Sequence, residues 1–134
     1  MRARFNLKQV EDLMQNEKFL DSKSKLQDIL QEKLVDGKKL YIEIGMGKGE
    51  FISNMANNDK ENIYIGIELC KPVLALAVKK INRFEKENNV KLSNLYVMSF
   101  DALNIHEILG DYKVDKIFLN FSDPWPKKKH AKRR

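Results

Sequence analysis

The feature that most constrains the fold is a short apolar run followed by three glycines in alternate positions. Residues 40–44 are mostly apolar, and Gly45, Gly47 and Gly49 follow them. The run predicts a buried strand, and the apolar spacing of residues 50–56 predicts a short helix. Strand, glycine turn and helix in this order are typical of a nucleotide-binding α/β unit, because glycine lets a ligand approach the backbone.

The glycine spacing and the carboxylate before it narrow the kind of ligand. The spacing is GxGxG, which differs from the GxGxxG of dinucleotide folds. Glu43 comes two residues before the first glycine, at the carboxyl end of the predicted strand. A carboxylate there suits a ligand with an ammonium group, such as S-adenosylmethionine, and repels a pyrophosphate. A structural glycine turn in another α/β domain is the alternative.

Further predicted strands alternate with predicted helices along the chain. Strands are expected at residues 63–67, 95–98 and 116–121, and a helix begins at Pro72 and stops at Asn88-Asn89. Two earlier helical stripes, within residues 7–14 and 26–34, are expected to pack on the sheet, and Asp36-Gly37 is expected to end the second helix. The pattern predicts an α/β fold with a parallel sheet and helices on both faces.

Two more carboxylates follow predicted strands. Glu68 lies 19 residues beyond Gly49, about the spacing at which Rossmann-type folds place a carboxylate on ribose hydroxyls. Asp101 follows the third strand, where it can accept a hydrogen bond from an adenine amine, with Phe100 near the ring face. A solvated strand-end glutamate and an ordinary loop acid are the respective alternatives.

The positive charge of the chain is concentrated at one end. The formal net charge is +6, and residues 127–134 contain six of the 25 basic residues and no acid. The remaining 19 basic residues balance the 19 acidic ones, so the excess predicts a polyanionic partner for the C-terminal segment. Just before this segment, Pro124 and Pro126 stiffen a loop that carries Asp123 and Trp125. Trp125 can stack on a base, or it can instead fill the core.

The remaining composition excludes several classes of protein. The single cysteine, Cys70, excludes an internal disulfide and fits the reducing cytoplasm. Histidine and cysteine do not recur at metal-ligand spacing, and no apolar run approaches the length of a membrane span. We therefore expect a cytoplasmic protein without a metal site or membrane contact. Residues 1–37 are expected to form a basic arm and helices, and residues 38–134 a cofactor-binding domain.

Three motifs resemble those of the bacterial tRNA (guanine-N7-)-methyltransferase family. They are residues 43–49, 64–68 and 120–130, of which the DPWPKK segment is the most specific. The resemblance implies a Rossmann-like class I methyltransferase that transfers a methyl group from S-adenosylmethionine to guanine N7 in tRNA. The implied target is the variable-loop guanine at position 46 in tRNA numbering.

The resemblance and the residue chemistry together give a predicted site. Asp123 is the candidate catalytic carboxylate, because positive charge develops on the purine as the methyl group leaves sulfur. Guanine N7 carries a free lone pair, so no general base is required. The cofactor set is Glu43, Gly45, Gly47, Gly49, Glu68, Asp101 and Asp123, and the RNA set is Trp125, Lys127, Lys128 and Arg133.

Class I methyltransferases have seven strands, whereas this sequence predicts four. We therefore expect a fragment or a truncated gene product, with the cofactor half present and the substrate half incomplete. The resemblance implies the strand order 3-2-1-4, in which strand four becomes a sheet edge. This edge predicts self-association or marginal stability, with some cofactor affinity but no methyl transfer. A non-catalytic cofactor- or RNA-binding module is the main alternative. A nicotinamide oxidoreductase is disfavoured by the glycine spacing.

Overall fold

The computed structural model describes residues 7–119, in which four strands alternate with helices. The strands are β1 (Leu40–Ile44), β2 (Ile63–Ile67), β3 (Leu95–Met98) and β4 (Lys116–Leu119). The helices are α1 (Leu7–Gln15), α2 (Lys23–Lys33), α3 (Glu50–Asn58), α4 (Lys71–Asn88) and α5 (Ile105–Leu109), with a 3-10 turn at Ala102–Asn104. The predicted strand positions are confirmed through Leu119, and the expected extension to residue 121 lies outside the described part of the chain.

The strands form one parallel sheet in the order β3-β2-β1-β4, the order that the resemblance implies. In this register Glu43 of β1 lies between Gly66 of β2 and Phe118 of β4. All five residues of β2 are buried, which explains its continuous apolar run: helices cover this strand on both faces.

Helices cover the sheet on two sides and create two apolar cores, which confirms the predicted layers. The first core includes Leu13 of α1, Ile52 of α3 and Leu74 of α4. The second includes Leu30 of α2 and Leu109 of α5. The two leading helices therefore pack on opposite faces of the same sheet. None of the helices within residues 7–119 is long and apolar enough to cross a membrane.

The end of α2 differs from the expectation. The helix ends at Lys33, and the backbone N–H of Leu34 closes it by donating to the carbonyl of Leu30. Asp36 and Gly37 do adopt left-handed conformations, with φ of 57° and 80°, but they belong to the turn that leads into β1. Glycine is common as a left-handed residue both at helix ends and in turns. The turn was therefore predicted correctly, whereas the predicted helix end was wrong.

A segment before α2 adds a short ladder to the sheet that the sequence does not predict. Phe19 forms a parallel bridge with Val97 of β3. The N–H of Leu20 donates to the carbonyl of Val97 at 2.9 Å, and the N–H of Val97 donates to the carbonyl of Lys18 at 2.8 Å. The outer side of β3 is therefore occupied by residues 18–20.

Candidate functional site

The three glycines after β1 form a compact loop over the end of β2. Gly45, Gly47 and Gly49 have φ of 73°, 56° and 78°, a region that residues with a Cβ rarely adopt. The N–H groups of Gly45 and Met46 both donate to the carbonyl of Ile67, at 2.9 and 3.2 Å. The N–H of Gly49 donates to the carbonyl of Met46 at 3.0 Å. These bonds anchor the loop at the carboxyl end of the sheet.

Glu68 comes directly after β2, and its carboxylate contacts this loop. One carboxylate oxygen accepts the N–H of Gly47 at 3.2 Å, and the other accepts the N–H of Cys70 at 3.3 Å. The side chain is only half-buried. Both bonds lie at the long end of the usual range, so ligand hydroxyl groups could replace them at small cost. The structure thus brings together the two features that the sequence singled out.

Glu43 occupies a deeper position than expected. It was predicted to meet a ligand ammonium group, but its side chain is only 1% exposed and lies on the sheet face covered by α3. A ligand can reach this carboxylate only if the neighbouring side chains move. Direct contact between Glu43 and a ligand ammonium therefore stays a prediction. Glu43 lies near the end of β1, two residues before the glycine loop.

Asp101 stabilises the turn that follows β3. Its carboxylate accepts the N–H of Leu103 at 3.1 Å and so caps the 3-10 turn after β3. The residue is exposed, and Phe100 packs against the second core. The hydroxyl of Ser99 donates to the carbonyl of Leu69 at 3.1 Å, which ties the loops after β2 and β3 together. This contact between the two loops was not predicted from the sequence.

The strand order defines where a ligand would sit. The chain runs from β1 to β2 on one side, whereas β4 lies on the other side of β1. The crevice at such a topological switch point is the usual ligand site of open α/β sheets. The crevice is bounded by the glycine loop on one side and by the end of β4 on the other. The remaining predicted residues lie outside the described range; they are Asp123, Trp125, Lys127, Lys128 and Arg133.

Metal chemistry has no support in the described part of the chain. Within residues 7–119 no group of three or more His, Cys, Asp or Glu side chains is arranged to hold a metal ion.

Comparison with known proteins identifies the class of this site. Residues 37–134 match a family model described as "Putative methyltransferase". The chain belongs to this methyltransferase family. The match spans the glycine loop, Glu68 and the basic segment, so it includes all three motifs that carry the resemblance.

Curated relatives in the methyltransferase family agree with the resemblance. A "tRNA (guanine-N(7)-)-methyltransferase" of Alkaliphilus metalliredigens is 41% identical over 71% of this chain and 44% of its own length. A protein of the same name from Ureaplasma parvum is 52% identical over 71% of this chain and 40% of its length. The chain thus spans less than half the length of these two relatives.

A solved structure supports the methyltransferase fold independently. It is described as "Structure of an antibiotic related Methyltransferase" and is 25% identical to this chain, with a TM-score of 0.56. The likeness covers 82% of this chain and 51% of that one. The Rossmann-like class I fold expected from the motifs is confirmed for the four described strands.

Proposed function

We propose that this chain binds S-adenosylmethionine at the crevice beside the glycine loop. The observation that carries the proposal is the hydrogen bond between the N–H of Gly47 and the carboxylate of Glu68. It places a glycine backbone and a half-buried acid side by side at the switch point of the sheet. The hydroxyl groups of a ribose can donate to this carboxylate in place of the Gly47 N–H, and the glycine backbone leaves room for the rest of the cofactor.

The residues present fit such a cofactor by their chemistry. S-adenosylmethionine supplies an electrophilic methyl group on a sulfonium. Glu68 would accept from the ribose hydroxyls, and the glycine loop would lie against the methionine half of the ligand. Glu43, which the sequence predicts to meet the ligand ammonium, lies near the end of β1 beside this loop.

Calorimetry with S-adenosylmethionine and NAD tests this assignment. We expect Glu68→Ala to weaken S-adenosylmethionine binding by about tenfold or more, because charge-assisted hydrogen bonds are lost. Glu61→Ala is the matched control, since Glu61 is an exposed acid in the turn before β2. Equal affinities for wild type and Glu68→Ala would remove Glu68 from the site. Tighter binding of NAD than of S-adenosylmethionine would overturn the cofactor.

For the whole protein we propose methyl transfer to guanine N7 in tRNA. The names of the curated relatives support this substrate. The N7 lone pair needs no base, so catalysis can rest on alignment of N7, methyl and sulfur. We propose that Asp123 stabilises the charge that develops on the purine. A tRNA substrate implies a cytoplasmic location, with which the single cysteine is consistent.

The basic segment is the proposed contact with the RNA backbone. If its six cations meet phosphates, log K should fall against log salt with a slope of about −4 to −5. Truncation after Pro126 should flatten this slope and leave cofactor binding nearly unchanged. A slope that survives the truncation would show that these cations are solvated and do not contact RNA.

A second candidate function is binding without turnover. It is favoured by the span of the chain, which covers 44% and 40% of the two relatives. A methyl-transfer assay with tRNA separates the candidates. Incorporation of the labelled methyl group by the 134-residue chain would exclude the binding-only candidate. Cofactor binding without incorporation would support it.

We also propose that a second copy of the chain pairs with the outer side of β4. Ile117 and Leu119 are 45% and 64% exposed, whereas Phe118 between them packs on Phe51 of α3. Sedimentation equilibrium should detect a dimer that Leu119→Lys dissociates. Leu103→Lys is the control, because Leu103 is 88% exposed but lies in the 3-10 turn. A monomer at all concentrations, or equal effects of both variants, would refute the pairing.

A further inference from the structure

Gly66 lies in the middle of β2, where glycine is normally unfavourable. Its φ is not positive, so backbone conformation does not explain it. Space does: a Cβ at this position would lie 2.4 Å from the sulfur of Met46 and 3.2 Å from its methyl carbon. A Cβ does not approach other heavy atoms this closely. The missing side chain therefore leaves a notch in β2 that the side chain of Met46 fills.

Met46 belongs to the glycine loop and connects it to three other elements. Its side chain is 3% exposed. The notch that it enters is also bordered by Ile52 of α3, at 3.3 Å from the Cβ position of Gly66. At the other end, the methyl carbon of Met46 lies 3.3 Å from the Cβ position of Gly49. Ile81 of α4 also lies 3.3 Å from that position. Met46 thus spans the distance from β2 to the far end of the loop.

The backbone of Met46 is fixed as well as its side chain. Its N–H donates to the carbonyl of Ile67, and its carbonyl accepts the N–H of Gly49. Methionine is flexible and can change rotamer. Here, however, an added Cβ at position 66 would push the side chain of Met46 toward Gly49 and Ile81, and the space between these two residues is already filled. A displacement of Met46 in that direction would carry the loop backbone with it, including the N–H of Gly47 that meets Glu68.

We propose that Gly66 and Met46 are a matched pair of positioning residues that set the conformation of the glycine loop. The part of this inference that concerns the ligand rests on the proposed binding of S-adenosylmethionine. Neither residue needs to touch the ligand, because both act through the position of Gly47 relative to Glu68.

A double-mutant cycle tests the pair. Gly66→Ala should weaken S-adenosylmethionine binding by about tenfold or more, because a misplaced loop no longer aligns its ligand groups. In the Met46→Ala background the same substitution should have little effect, since the smaller side chain leaves room for the new methyl group. Ile65→Ala is the control: it lies on the same strand but faces the second core, and it should lower stability without changing affinity.

Nuclear magnetic resonance of the ligand-free protein gives a readout that does not depend on the cofactor. The Met46 methyl group should show a nuclear Overhauser effect to the Ile81 methyl groups. Gly66→Ala should shift the amide signals of Gly45, Gly47 and Gly49, and the double variant should reverse most of the shift at Gly47. If S-adenosylmethionine does not bind at all, the proposed function fails while these signals still test the pair.

Several outcomes would overturn the pair. One is an unchanged Gly47 signal and unchanged affinity in Gly66→Ala. Another is an additive double mutant, in which both substitutions weaken binding independently. If Gly66→Ala does not fold, recovery of folding in the double variant supports the pair, and failure of both variants to fold contradicts it.

Discussion

The two outer strands of the sheet differ in what lies beside them. Residues 18–20 pair with the outer side of β3 through two backbone hydrogen bonds to Val97. Beside β4, in contrast, nothing between residues 7 and 119 pairs with the outer side, and Ile117 and Leu119 are largely exposed. One edge of the sheet is closed by the chain's own backbone, while the other remains open within the described range.

The closed edge is tied down by a buried ion pair. The ammonium of Lys18 lies 3.1 Å from the carboxylate of Glu85 in α4 and donates to the carbonyl of Leu92. The same carboxylate accepts the N–H of Leu92 at 2.7 Å. This comparison shows how the candidate site is built. The glycine loop and Glu68 follow the two central strands, β1 and β2, whereas Asp123 and the basic residues 127–134 come after β4 in the sequence.

The largest expected difference between the edges is in hydrogen exchange. The N–H of Asp115 points to β1, so alternation along the strand directs the N–H of Phe118 outward. We expect the amide of Val97 to exchange about a thousandfold more slowly than that of Phe118, because Val97 has a backbone acceptor at its edge and no residue within 7–119 provides one for Phe118. Similar rates in dilute protein would contradict the comparison. Protection of Phe118 that rises with concentration would support pairing with a second copy.

The next effect concerns the ion pair at the closed edge. Lys18→Met removes the cation and leaves the partly buried carboxylate of Glu85 and the carbonyl of Leu92 without this donor. We expect a loss of about 2 kcal/mol in the free energy of unfolding, measured with urea. The amide of Leu20 should also exchange faster. A stability equal to that of the wild type would show that the ion pair does not hold this edge.

The smallest effect is expected at an exposed pair nearby. Lys91 lies 3.0 Å from Glu17, and both side chains are exposed. The hydrogen bond and charge of Lys91 lower the pKa of Glu17. Any stability from this pair is therefore present above the ordinary glutamate pKa and is lost as the pH falls through the lowered value. Lys91→Met should raise the pKa of Glu17 in a carboxyl titration yet leave urea unfolding unchanged, as expected for surface pairs. A loss in the free energy of unfolding as large as that of Lys18→Met would contradict the distinction between the buried and the exposed ion pair.

Local patterns were sufficient to predict the strands and the loop beside Glu68, whereas the strand order came from the family resemblance. The glycine spacing and the acid after β2 are local signals with a direct physical cause. The ladder at residues 18–20 was missed because three residues are too few for a periodic pattern, and their partner Val97 is far along the chain. The depth of Glu43 was also missed, since alternation indicates the face of a strand and not the thickness of what covers it. Gly66 did carry a signal, because glycine inside a strand often marks a close contact.

The central claim is that the glycine loop and Glu68 form the cofactor site of this methyltransferase chain. Titration of the ¹⁵N-labelled protein with S-adenosylhomocysteine, the demethylated cofactor, tests it most directly. We predict saturable shifts at the amides of Gly47 and Cys70, which both contact the Glu68 carboxylate, and none at Leu20 or Val97 of the closed edge. Unmoved Gly47 and Cys70 signals, or shifts that NAD produces at lower concentration, would contradict the claim.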